Sequence, residues 1–200
     1  IILCSPSNPT GSVYSREELK GLADVLAKHP EIIILADEIY EHINFTGRFD
    51  SISQFESVRD RVAIVNGVSK AYAMTGWRIG FLAAPAALAK ACSKLQGQYT
   101  SGPCSVSQVA ATEAFAGPQD CVETMRQAFE RRKQLIVRLA KEVPGFEVND
   151  PHGAFYLFPK CSHYFGMTDG ERTIQNSMDF ALYLLEVGHV ATVGGDAFGS

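Results

Sequence analysis

The sequence predicts an α/β fold: a mostly parallel sheet with helices on both faces, followed by a smaller α+β unit. Three observations lead there. Ile32-Ile33-Ile34-Leu35-Ala36 and Val62-Ala63-Ile64-Val65 are unbroken apolar runs of strand length, the pattern of a parallel strand covered on both faces. A segment with apolar residues at helical spacing precedes the first of them. From Pro85 onward the helical period dominates.

The elements follow in order. Ile1-Ile2-Leu3-Cys4 reads as a buried strand cut at its start, with no basic flank of a secretory leader and too short to span a membrane. A turn-rich stretch, Ser5-Pro6-Ser7-Asn8-Pro9-Thr10-Gly11, comes next. Ser15 with Glu18 three residues on forms a capping box. The helix it opens places Leu19, Leu22, Val25 and Leu26 on one face and stops near His29-Pro30. The runs at 32–36 and 62–65 are the next strands, ending at Asp37 and at Asn66-Gly67, and 79–84 is another run of the same kind. Helices are expected over 86–98, 105–115 and 119–142, the last closed by Pro144-Gly145. The second unit then holds strands near 146–148, 154–158 and 190–193 and a helix near 177–187. A boundary inside the long helix divides the chain into units 1–125 and 126–200.

With 200 residues, 46% of them hydrophobic, the chain has enough apolar material for a sizeable core. A formal net charge of −4 without a basic stripe argues against a nucleic-acid partner. The longest basic cluster, Arg131, Arg132 and Lys133, reads as a solvated helix face. The five cysteines are odd in number and show no CxxC spacing, which fits reduced thiols in a cytosolic protein. The five histidines form no HxxxH or HExxH pattern, so no metal site is expected.

Ligands of open α/β sheets sit outside the carboxyl ends of the strands. Asn8 follows the first strand, Asp37 and Tyr40 follow the second, Lys70 follows the third, and Arg78 stands just before the fourth. One sheet edge thus receives an amide, a carboxylate, a phenol and an amine, and the Arg78 guanidinium can join them. Pyridoxal phosphate needs this set: an amine for its aldehyde, a carboxylate for its ring nitrogen, donors for its phenolic oxygen and a cation for its phosphate.

Gly67-Val68-Ser69-Lys70-Ala71-Tyr72-Ala73-Met74-Thr75-Gly76-Trp77-Arg78-Ile79-Gly80 resembles the cofactor-attachment segment of class-I aminotransferases. Asn8-Pro9-Thr10-Gly11 and Ala36-Asp37-Glu38-Ile39-Tyr40 resemble two further motifs of that family, in the right order and spacing. The resemblance runs the whole length and is nearest to the bacterial and plant branch of aspartate aminotransferases, which includes aspartate/prephenate enzymes. It implies the fold-type I architecture, with the large domain and the small domain both truncated. It implies Lys70, Asp37 and Tyr40 as the catalytic set. Lys70 would hold pyridoxal 5′-phosphate as a Schiff base and then shuttle the proton. Asp37 would pair with the ring nitrogen, and Tyr40 and Asn8 would bond the phenolic oxygen. Arg78 and Ser69 would bind the phosphate, the Asn8-Pro9 peptide would be cis, and Asn8 and Phe155 would border the substrate.

Two positions depart from the resemblance. Gly67 stands where the family often has serine, and Gly194 stands where it usually has proline. The family's phosphate loop and ring-stacking aromatic would precede Ile1, and its carboxylate-binding arginine would follow Ser200. The chain alone is therefore expected to be an incomplete, inactive part of a cytoplasmic homodimer that acts on an amino acid, aspartate or glutamate, and a 2-oxo acid. Plainer readings stand beside each residue: a solvated lysine, a turn-capping Asp37, a packed Tyr40 or Phe155, a turn residue Asn8, a surface-paired Arg78. Two other functions also stay open. One is an aromatic or prephenate aminotransferase or related enzyme. The other is the aminotransferase-like effector domain of a transcription regulator, which would carry a basic DNA-binding domain upstream.

Overall fold

The computed structural model describes residues 1–199. At its centre is a four-stranded sheet of β1 (Ile2–Cys4), β2 (Ile34–Asp37), β3 (Val62–Gly67) and β4 (Gly80–Ala83), in that spatial order. The first three strands run parallel, and β4 runs antiparallel to β3. The helices are α1 (Arg16–Leu26), α2 (Glu56–Arg59), α3 (Ala86–Tyr99), α4 (Ser105–Ala116), α5 (Asp120–Lys141) and α6 (Ser177–Glu186).

Helix α1 starts where its capping box predicts. The Glu18 N–H donates to the Ser15 hydroxyl at 3.2 Å, and the Ser15 N–H donates to the Glu18 carboxylate at 2.8 Å. Two donors that a helix start leaves open are thereby satisfied. Leu19, Ala23 and Leu26 turn inward onto Leu3, Ile34, Ala36 and Val62. Val25, expected on that face, is exposed. At 3.6 residues per turn it lies about 120° from Leu19. The buried Arg61 guanidinium donates to the carbonyls of Leu26 (2.6 Å), His29 (2.7 Å) and Ile32 (2.9 Å). A cation thus closes the carboxyl end of α1, where the helix dipole favours it, and ties that end to the entry of β2.

Two strands differ from expectation. Only Leu3 of the first run is buried, while Ile1 and Ile2 are 52% and 71% exposed. Among the described residues β1 has a neighbour on one side only, and Ile2 faces away from Leu3 across the pleat. The fourth strand, read as one more covered run, is mostly exposed and antiparallel. Its link from β3 is a loop over 68–79 with one 3₁₀ turn, Thr75–Trp77, and no crossover helix to restart a parallel strand.

The strands expected near 146–148, 154–158 and 190–193 do not form. Single bridges, Glu147 with Lys160 and Asn44 with Gly153, stand in place of ladders. Ala154 has a φ of +57°, which turns the chain out of the extended region, and Pro159 lacks an N–H. His189, at φ +55°, precedes the third segment, and the Val190 N–H bonds the Leu184 carbonyl at the end of α6.

Residues 152–154 are instead stitched to the first unit. The Phe45 N–H donates to the His152 carbonyl at 2.8 Å, and the Ala154 N–H donates to the Ile43 carbonyl at 2.7 Å. The N–H groups of His152 and Gly153 both donate to the Gly11 carbonyl. Gly11 has a φ of +68°, and a Cβ there would overlap Pro151 and lie 2.8 Å from the Gly153 oxygen. Both the left-handed backbone and the close approach require glycine. The Asn8-Pro9 peptide is cis, as expected, and so is Ser5-Pro6.

Candidate active site

The parallel register aligns Cys4 with Asp37 and Asp37 with Val65, so the loops after three strands open at one edge. Because β4 returns antiparallel, Gly80 pairs with Gly67, and Arg78 reaches the same edge from the other direction. A Cβ on Gly67 would lie 2.7 Å from the Ile79 carbonyl oxygen and 2.8 Å from the Gly80 Cα. The close approach of β4 therefore leaves no room for the serine that the resemblance led one to expect.

Lys70 is half-buried, and its Nζ lies 5.7 Å from the centre of the Tyr40 ring and 5.6 Å from that of Phe155. The two rings meet edge to face at 5.4 Å. Cation–π attraction holds an ammonium between such rings. Three candidate residues from distant parts of the chain therefore meet directly. Tyr40 is 4% exposed, and burial followed by its hydrogen bond with Tyr156 pushes its phenol above the ordinary tyrosine range.

Ser69 and Arg78 share the loop that carries Lys70. The Thr75 hydroxyl donates to the Ser69 carbonyl at 3.1 Å, and Arg78 Nη1 donates to the Thr75 carbonyl at 2.9 Å. Val68 closes the same loop, its carbonyl accepting from the N–H groups of Tyr72 and Met74. Ala73 and Arg78, at φ +53° and +55°, are left-handed without being glycine, as is Ala154 beside Phe155. Each such residue costs about 1–3 kcal/mol, strain that collects at ligand sites.

Asp37 is half-buried, and its carboxylate accepts from the Ile39 N–H at 3.3 Å. Turn capping is thus part of its role, but an ionised carboxylate has about four acceptor sites, and this bond leaves room for a ligand. Asn8 is exposed and, with Pro9, lines the open cavity that Phe155 and Tyr156 also line. Register sets Asp37 beside Val65 at the strand end from which the Lys70 loop departs, and Asn8 meets the site through the cavity it lines with Phe155.

The family model for class I and II aminotransferases matches residues 1–200. The chain belongs to that family. A probable aspartate/prephenate aminotransferase of Rickettsia bellii is 50% identical over all of this chain and 51% of the relative. A Petunia hybrida protein named bifunctional aspartate aminotransferase and glutamate/aspartate-prephenate aminotransferase is 46% identical, over all of this chain and 43% of the relative. The crystal structure of the aspartate aminotransferase from Rhizobium meliloti superposes with a TM-score of 0.94 at 44% identity, covering all of this chain and 50% of that one. The aminotransferase chain spans about half the length of the curated relatives it matches.

Two residues of this aminotransferase edge escaped the sequence reading. Tyr156 bonds Tyr40, and nothing in the sequence pairs positions so far apart. Glu38 is buried, and its carboxylate accepts from the Ser51 hydroxyl at 2.5 Å. Strand alternation offered the signal, because Glu38 continues the Ile34 and Ala36 side that faces the core. Burial pushes its carboxyl up to about 7, against the pull of the Ser51 hydrogen bond and with help from Glu41 and Asp37.

The pH dependence follows. Between the ordinary 4.5 and about 7 the folded state holds the proton more tightly than the unfolded state. Stability is full below that window and falls as pH rises through it, by on the order of 3 kcal/mol. Glu38→Gln is expected to remove this slope. Denaturant unfolding of the full-length protein at about pH 5 and about pH 8 checks it, and an equal loss in both proteins would count against the assignment.

Among the described residues no group of three or more His, Cys, Asp or Glu is placed to hold a metal. No helix there is long and apolar enough to cross a membrane.

Proposed function

We propose that the full-length protein transfers amino groups between an amino acid, aspartate or glutamate first, and a 2-oxo acid, with pyridoxal 5′-phosphate as cofactor. The observation that carries this is the Lys70 ammonium between the Tyr40 and Phe155 rings, at the edge that also receives Asp37, Ser69 and Arg78. The chemistry of that donor set fits the cofactor group by group. When bound, it supplies an aldehyde to an amine and a protonated ring that takes up electrons.

The chain's own residues then have defined tasks. Lys70 offers the amine and, once displaced by substrate, takes and returns the proton at the substrate's α-carbon. Asp37 keeps the proton on the ring nitrogen by favouring its charged form. Tyr40 and Asn8 donate to the phenolic oxygen. The Arg78 guanidinium and Ser69 hydroxyl bind the phosphate. Asn8 and Phe155 also border the substrate, with Phe155 packing on the group that receives the substrate carboxylate.

Relatives named aspartate/prephenate aminotransferases support aspartate as donor and prephenate as a second acceptor. Residues 1–125 would form part of the cofactor-binding domain and 126–200 part of the small domain. Apolar side chains exposed on and beside α3 and α4, among them Leu95, Tyr99, Val106 and Val109, suit burial against the remainder of a cytoplasmic homodimer. A panel of amino donors and 2-oxo acids offered to the full-length protein tests the proposal. Aspartate or glutamate should be preferred, with parallel double-reciprocal plots. Intersecting plots, or no donor consumed, would refute it.

A further inference from the structure

The hydroxyls of Tyr40 and Tyr156 meet at 2.5 Å across 116 positions of sequence. Their rings stand edge to face, with centres 5.7 Å apart. Phe155, between them in contact, packs against both rings. The meeting is built from the backbone outward. The Ile43 N–H donates to the Tyr40 carbonyl, and the Ile43 carbonyl accepts from Ala154. The left-handed Ala154 then swings Phe155 and Tyr156 over Tyr40, and Tyr40, Ile43 and Ala154 form one buried cluster. Packing alone would be served by a phenylalanine at 156, so the hydroxyl asks for its own account.

A phenol has one proton to give and lone pairs to receive with. Within this pair only one hydroxyl can donate to the other. Without a ligand Tyr40 can be the donor to Tyr156, the sense in which the bond holds the Tyr40 proton. If Tyr40 gives its proton to an anionic oxygen outside the pair, the bond must reverse and Tyr156 becomes the donor within it. We propose that Tyr156 is a positioning residue whose hydroxyl donates to the Tyr40 oxygen, fixing that phenol and polarising its O–H toward the phenolic oxygen of bound pyridoxal phosphate. The proposal rests on the site reading given above. Hydrogen bonds in a chain strengthen one another in a low-dielectric setting, so the Tyr156 donor makes Tyr40 the stronger donor. The link also makes the donor strength of Tyr40 depend on how the 150s segment is seated.

The test compares the full-length protein with Tyr156→Phe, Tyr40→Phe and the double variant. It reads the pH midpoint of the bound cofactor's absorbance band and the dissociation constant of pyridoxal phosphate. A donor on the phenolic oxygen competes for the electron pair that holds the chromophore's proton, so weakening the donor raises the midpoint. Tyr156→Phe should raise it by about half a pH unit and weaken cofactor binding roughly threefold to tenfold, with a larger midpoint shift in Tyr40→Phe. Adding Tyr156→Phe to Tyr40→Phe should change nothing further. An unmoved midpoint in Tyr156→Phe, or a shift of equal size in the Tyr40→Phe background, overturns the role of Tyr156 alone. The change removes one oxygen and keeps the ring packing, so folding is not at stake. Absence from the wild-type protein of any band that borohydride bleaches overturns the site reading and this proposal together.

Discussion

Lys70→Ala in the full-length protein is expected to abolish the borohydride-sensitive absorbance band near the visible edge and to cut turnover by roughly 10⁴-fold or more. Two losses combine in that number. Alanine has no amine to join the cofactor, and it has none to carry the proton at the substrate's α-carbon. Covalent attachment and proton transfer fail together, so exogenous cofactor should not restore the rate. The surroundings predict that the variant folds. Lys70 is half-buried and its ammonium touches two ring faces, so its removal leaves no buried ion without a partner. The measurement is the spectrum before and after borohydride, beside the transamination rate with saturating cofactor. A retained band, or a rate within tenfold of wild type, would place the attachment elsewhere.

The second large effect is expected at Asp37. Asp37→Ala should lower turnover by about 10²–10⁴-fold, because an unprotonated ring no longer accepts the electron pair left at the substrate carbon. The same carboxylate accepts from the Ile39 N–H, so alanine also loosens the turn that carries Tyr40. Asp37→Asn separates the two roles. An amide keeps a hydrogen-bond acceptor for the turn and loses the charge. If both variants lose activity while Asn keeps the thermal unfolding midpoint, the charge is the cause. Near-normal turnover in Asp37→Asn would remove Asp37 from the mechanism.

Most of the framework was legible in the sequence, for local reasons. The capping box of Ser15 and Glu18 sets the start of α1, since both partners lie within one helical turn. The apolar runs at 32–36 and 62–65 predicted β2 and β3, because a buried parallel strand must be apolar on both faces. The helices from Ala86 to Lys141 follow their periodic segments to within one or two residues. The direction of β4 was not legible. The run at 79–84 looks like any covered strand, and only the helix-free loop before it makes the chain double back. The expected strands in the second unit failed for a similar reason. Ala154 and His189 are left-handed without being glycine, and no residue type announces that.

The site divides in the same way. The sequence by itself determined which chemical groups are present, because Asn8, Asp37, Tyr40 and Lys70 each follow a strand end that any parallel α/β chain would deliver to one edge, whereas Arg78 reaches it only because β4 runs antiparallel. Tertiary structure decided which of them touch. It brought Phe155 onto the Lys70 ammonium, bonded Tyr156 to Tyr40, and sank Glu38 against Ser51. Residue identity and short spacing are properties of the chain, readable one turn or one strand at a time. A contact across 116 positions depends on how separate segments pack, and the energy that selects that packing is spread over the whole core.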